Sequence, residues 1–157
     1  MIAPGRRSDR YAHHFLDLFA TFSELAAGAV PAGSHGRSLL PILKGETADD
    51  WPLEAFCEFH GSHMGLYSMR LLRDDRYSYV YHTNDIDELY DHESDPHQLV
   101  NLATEPSAGE VLWALRRRMV DWMAKTDDHL YNEWTVLWLT DDPELAAQAP
   151  GRRRSKW

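Results

Sequence analysis

A single cysteine in 157 residues, Cys57, excludes an internal disulfide framework and a thiolate metal cage. No apolar run approaches the roughly 18 residues of a membrane-spanning helix, so no membrane partner is expected. Cations are scarce: 16 Lys and Arg face 25 Asp and Glu, and the net charge of −9 argues against broad nucleic-acid binding. The first ten residues hold Arg6, Arg7 and Arg10 without an apolar stretch of signal-peptide type behind them, and a cytoplasmic chain is expected. The nine glycines are scattered, so no phosphate-cradling loop is built, and no Gly-x-Ser-x-Gly elbow occurs.

What remains is a chain with the balance of a globular domain, 43% hydrophobic and 26% charged, long enough for one real core. Its charge is uneven. Between Asp74 and Asp95 eight acids stand against one arginine, Arg76, whereas Arg152, Arg153, Arg154 and Lys156 crowd the last residues as a basic tail. That tail reads as a solvated end.

Hydrophobic spacing predicts the elements. Phe15, Leu18, Phe19, Phe22, Leu25 and Ala26 recur at helical intervals, with Gly28 and Pro31 as stop signals, so a helix is expected over about 11–27. Its apolar stripe must bury against something. Ser38 to Leu43 reads as a short helical turn. Four strands are expected at 55–59, 67–73, 77–81 and 88–91, with Asp74-Asp75 as a hairpin turn. The tyrosine alternation of Tyr77, Tyr79 and Tyr81 favours an antiparallel sheet with one wet face. Glu105-Pro106 opens a helix whose stripe of Leu112, Leu115, Met119, Trp122 and Met123 carries it to about residue 125. Leu130 to Leu139 reads as helix or strand, and its Trp134 and Trp138, if exposed, make a sticky patch. The fold class is α+β.

The residues alone assemble no complete active site. Cys57, inside a strand, reads as a buried structural thiol rather than a nucleophile paired with His60. Glu58 and His60 project to one strand face, and His63 lies just past Gly61, so the three form a weak candidate metal cluster. His92 and His97 read as surface groups. The pairs Asp74-Asp75 and Asp127-Asp128 fall at turns, where solvated acids are expected.

One stretch is far more specific. Asp87-Glu88-Leu89-Tyr90-Asp91, then Asp95-Pro96, then Asn101-Leu102 resembles, at the family's spacing, the "ELYD…DP…NL" segment near the C-terminus of sulfatases, members of the alkaline phosphatase superfamily. Other pieces follow in the family's order. Pro4-Gly5 stands at the "PG" segment. Asp17-Leu18-Phe19-Ala20-Thr21 resembles "DLxPT". His35-Gly36-Arg37-Ser38-Leu39-Leu40-Pro41 resembles "DGxSLLP", and Arg73 to Tyr79 resembles the "RTxxYKY" hairpin. Leu115 to Thr126 resembles the closing "LxxWMxxT" helix. Ala20, His35 and Ser78 depart from the usual proline, aspartate and lysine. The resemblance spans about residues 4–128.

It implies a division into 1–50, a remnant of the large α/β domain, 51–128, the small sheet-and-helix subdomain, and 129–157, an extension without counterpart. It also implies a sulfuric ester hydrolase that uses a formylglycine made from Cys or Ser in Cys/Ser-x-Pro-x-Arg, with calcium or a related ion. That motif does not occur here, because Cys57 is followed by Glu-Phe-His-Gly. No catalytic residue or metal ligand of the family carries over, and no cofactor is expected in this chain. The isolated chain is expected to be inactive, its partner the missing catalytic domain. His60, His63 and, more weakly, Arg70 are the candidates for lining the cleft of a sulfate ester substrate. Three alternatives stay open: a subunit of a split sulfatase, a non-catalytic binding or structural module, and a small metal protein.

Overall fold

The computed structural model describes residues 14–46, 50–61 and 67–151, with the backbone alone at His14. The fold is α+β. Helix α1 (His14–Ala27) and the short α2 (Leu40–Lys44) precede strands β1 (Ala55–His60), β2 (Ser68–Arg73), β3 (Tyr77–His82) and β4 (Glu88–Asp91). A 3-10 turn (Pro106–Ala108) leads into α3 (Gly109–Lys125), and α4 (Glu133–Thr140) and α5 (Pro143–Ala146) follow. All four expected strands form, and they pair in sequence order as an antiparallel meander. Among the described residues no helix is long and apolar enough to cross a membrane.

Register decides which side chains meet α3. Glu58 stands opposite Arg70, Phe56 opposite Leu72, Leu72 opposite Tyr79, and Tyr79 opposite Leu89. With a side-chain period of two, these residues share one face. Leu72, Tyr79, Tyr81 and Leu89 are buried there against Leu112, Leu115, Met119 and Met123 of α3. Val136 and Leu139 of α4 and Ala146 of α5 close the same core. Phe56 stacks on Trp122 with ring centroids 4.8 Å apart.

The opposite face is drier than the tyrosine alternation predicts. Ser78 and His82 are buried on it. The cause is the chain flanking the strands: His92 Nε2 lies 2.7 Å from Ser78 Oγ, and His82 is held between Tyr67 and Glu88. His92 is therefore half-buried rather than a surface group, and burial together with nearby Arg73 lowers its pKa.

Side chains of the sulfatase-like segments make the connections. Asp74 accepts from the backbone N–H groups of Arg76 and Tyr77 and so closes the β2–β3 turn. Asn101 clasps β4: its side-chain oxygen accepts from the N–H of Leu89 at 3.0 Å and of Ala103 at 2.9 Å, and its amide donates to the Asp87 carbonyl. Asp95 accepts from the N–H groups of Leu99 and Val100 in the loop between them.

Helix α1 is tied on by polar groups. Asp17, buried, accepts from the Arg37 N–H at 2.7 Å. Thr21 accepts from the Leu39 N–H at 2.8 Å while donating to the Asp17 carbonyl. Gly36 lies so close that a Cβ there would sit 2.0 Å from the Leu16 carbonyl oxygen. The expected stripe of Phe15, Phe19, Phe22 and Leu25 stays exposed.

The ambiguous stretch after Leu130 is helical. Asn132 caps α4 by accepting from the N–H groups of Trp134 and Thr135. Thr135, Val136, Leu139 and Thr140 then fall on one buried face at helical spacing.

Candidate functional site

Strand β1 ends in Glu58 and His60, which the pleat sends to the same side, as the strand reading predicts. Both side chains are about half-exposed. The glutamate Oε2 lies 3.6 Å from His60 Nε2, and Ser68 Oγ lies 3.1 Å from His60 Nδ1. The imidazole is thus held by Ser68 at Nδ1, while the glutamate stands beside Nε2 beyond hydrogen-bond distance.

Beneath this pair is Arg70, which has no exposed surface. Its guanidinium donates to both carboxylate oxygens of Asp128, at 2.6 and 2.9 Å, and to the Met69 carbonyl. It also lies 3.7 Å from Glu58. Arg70 therefore reaches the surface only through Glu58.

Asp128 corrects the expectation of a solvated acid at a turn. Its side chain is fully buried. Burial pushes its pKa up, but the Arg70 guanidinium and the Leu130 N–H outweigh that, and the carboxyl titrates below its usual range. Next to it, His129 brings its ring to 4.5 Å from that of His60, tilted by 46°. His129 Nδ1 is 3.6 Å from Asp128. The end of the sheet and the α3–α4 connection together present two half-exposed imidazoles, each beside a carboxylate, over a buried ion pair. Such a face offers ring N–H donors to an anionic oxygen.

Of the residues singled out from sequence, His60 and Arg70 meet in this cluster, and His63 lies outside the described residues. His129 escaped sequence reasoning, in which Asp128 reads only as a solvated turn acid. They sit at the boundary of the recognisable region, and nothing local marks two turn residues as partners of a strand 58 positions away.

The face borders a cleft of about 580 Å³, which Glu58 and Phe56 line together with Arg118 and Trp122 of α3 and with Leu16, His35 and Arg37 of the N-terminal segment. Arg118 is held there by Glu54 and by Asp74, the latter at 2.7 Å.

The other candidates do not join it. Cys57 projects to the opposite side of the sheet from His60, and burial raises its thiol pKa, the reverse of what thiolate chemistry needs. Among the described residues no group of three or more His, Cys, Asp or Glu is arranged to hold a metal ion. Those residues do not fit the calcium site that the sulfatase resemblance implies, and Cys57 does not fit its formylglycine.

Together, the meander backed by α3, the Asn101 clasp and the Asp17–Arg37 tie describe a C-terminal portion of the sulfatase family. The chain belongs to the family described as N-sulphoglucosamine sulphohydrolase, C-terminal, whose profile matches residues 1–125. It is 31% identical to a Delta 4,5-hexuronate-2-O-sulfatase of Bacteroides thetaiotaomicron, over 87% of this chain but 28% of that protein. A solved 2-O GAG sulfatase superimposes with a TM-score of 0.66 at 30% identity, over 87% of this chain and 29% of that one. The phosphonate monoester hydrolase of Agrobacterium radiobacter gives a TM-score of 0.67 at 27% identity, covering 77% and 26% of the two chains. The chain therefore spans less than a third of the length of these relatives.

Proposed function

We propose that this chain is the C-terminal portion of a sulfuric ester hydrolase and supplies one wall of its substrate cleft. The observation that carries this reading is the family match over residues 1–125 combined with a span of 28% of the hexuronate sulfatase. The relatives' printed names share hydrolysis of sulfate or phosphonate esters, and a sulfate ester is the substrate class proposed for the parent protein.

In that wall His60 contacts the anionic ester, with His63 following it in sequence. Ser68 and Glu58 orient the His60 ring. Arg70 works from below, fixing Glu58 and tying the strand to Asp128. A group braced in this way donates a hydrogen bond without reorganising. The nucleophile and cation come from the remainder of the protein, and no step is routed through Cys57.

The exposed stripe of α1 supports a large covalent or non-covalent partner. Phe15 is 84% exposed and Phe22 62%, a surface that a soluble helix rarely leaves wet. The catalytic domain is the proposed cover, joined in one chain or supplied as a second polypeptide.

Two assays test the reading. The purified 157-residue chain should not turn over 4-nitrophenyl sulfate with calcium present, and turnover would overturn the assignment. In the protein that carries the catalytic domain, His60→Ala should raise KM about tenfold, the loss of roughly one charged hydrogen bond. An unchanged KM would remove His60 from the cleft.

A further inference from the structure

A second cleft, of about 830 Å³, is lined by the end of β3, the β3–β4 connection, Arg116 of α3 and the outer face of α4. Trp134 and Trp138 both line it, and they are 69% and 71% exposed. Helix α4 buries Val136 and Leu139 almost completely, so the two indoles are the face it turns outward. Four residues apart on a helix, they stand side by side, with Cβ atoms about 5–6 Å apart. The rim is polar. The β3–β4 connection contributes Asn84 and Asp85, and the approach to α3 contributes Thr104. Arg116 lies in the wall, where its charge is met by Asp87 at 2.6 Å.

We propose that this cleft is a binding site for a neutral saccharide. A pyranose ring has an apolar C–H face and a hydroxylated edge. Paired indoles offer the flat apolar surface for the first, each with an N–H at its margin. The hydroxyl, amide and carboxylate of Thr104, Asn84 and Asp85 offer donors and acceptors for the second. The volume suits a ligand of a few rings. Charge selects within the class. Arg116 is neutralised by Asp87, and Asp85 leaves the rim acidic, so a sulfated or phosphorylated ring is repelled. An apolar helix or lipid chain would take the Asp85 carboxylate and the Thr104 hydroxyl out of water with no polar group of its own to offer them.

The platform residues lie beyond the residues 1–125 that the family profile matches. The proposal is accordingly separate from the ester-hydrolase reading and survives its failure. In a protein acting on a polysaccharide, this site would hold an uncharged stretch of the chain away from the His60 face.

Isothermal titration of the full chain with cellohexaose, xylohexaose and mannohexaose tests it. At least one should bind with a Kd of about 0.1–1 mM. Trp138→Ala should weaken that binding at least tenfold, and Trp134→Ala with Trp138→Ala together should abolish it. Trp113→Ala should leave it unchanged, because Trp113 stands elsewhere on α3 against Arg117. All three variants alter exposed side chains, and an unchanged melting temperature would show that they fold. No heat with any of the three sugars overturns the proposal, as does binding that survives the double variant or a preference for dextran sulfate. A dimer in sedimentation that the double variant dissociates would also overturn it, since the platform would then belong to a second copy.

Discussion

The guanidinium of Arg70 grips the carboxylate of Asp128 through two hydrogen bonds across 58 residues of sequence, and neither side chain has exposed surface. This contact fastens the middle of the sheet to the end of α3 and sets His129 beside His60. A buried ion pair contributes little net stability relative to well-packed apolar residues, but breaking one is expensive.

Removing one partner should show that asymmetry. Asp128→Ala leaves the buried guanidinium with only the more distant Glu58 and should cost about 3 kcal/mol or more in urea unfolding. Arg70→Met with Asp128→Leu should recover most of the loss. A single variant within about 0.5 kcal/mol of the parent would mean that the pair is wet in solution.

The tie of α1 predicts a severe effect from the smallest possible change. Gly36→Ala places a methyl group on the Leu16 carbonyl, so the helix or its partner segment must move. Overpacking of this kind costs about 1–3 kcal/mol. Amide exchange should accelerate in α1 and in Arg37 and Leu39, while the β2–β3 amides keep their protection.

Asn101→Ala should destabilise by about 1–3 kcal/mol in chemical denaturation, because the Leu89 N–H, the Ala103 N–H and the Asp87 carbonyl lose one shared partner. Asn101→Asp keeps the acceptor and forfeits the donor, and should fall between the two.

The acid limb of stability should report Asp91. Its hydrogen bonds with Arg76 and with the Glu93 N–H hold its pKa down to about 2 in the folded chain. An unfolded aspartate titrates near 3.9, so folding favours the ionised form. That contribution is complete above about pH 5 and disappears as the pH falls through about 2. Arg76→Ala should therefore lower Tm at pH 6, and the gap to the parent should close as the pH approaches 2. Arg76 is half-exposed, so added salt should shrink the gap as well. A gap that does not change with pH would assign the loss to packing against Tyr77, over whose ring the Arg76 guanidinium sits.

The sequence by itself determined the four strands, α1 and α3 and their order. Alternation marked β3, short runs between turn signals marked the other strands, period 3.6 marked α1 and α3, and the turn chemistry of Asp74 and Asp95 marked their joints, because these signals are local and each residue carries its own. It also determined the family, since the ELYD, DP and NL spacing reflects one continuous piece of structure, β4 with its Asn101 clasp. Tertiary structure decided which polar residues are solvated. Asp128 reads as a solvated turn acid in a linear reading, yet its side chain is fully buried against Arg70, and Asp74, another turn acid, is held by Arg118. It decided the pairing of His60 with His129, which depends on the register of β1 with β2 and on where α3 ends. It decided as well that α4 is a helix with its tryptophans outward, because the aromatic and β-branched stretch of Leu130 to Leu139 fits either period until Asn132 caps it and the core takes Val136 and Leu139. Each of these outcomes is a long-range choice between burial and hydration, and a single position in the chain carries no record of its distant neighbour.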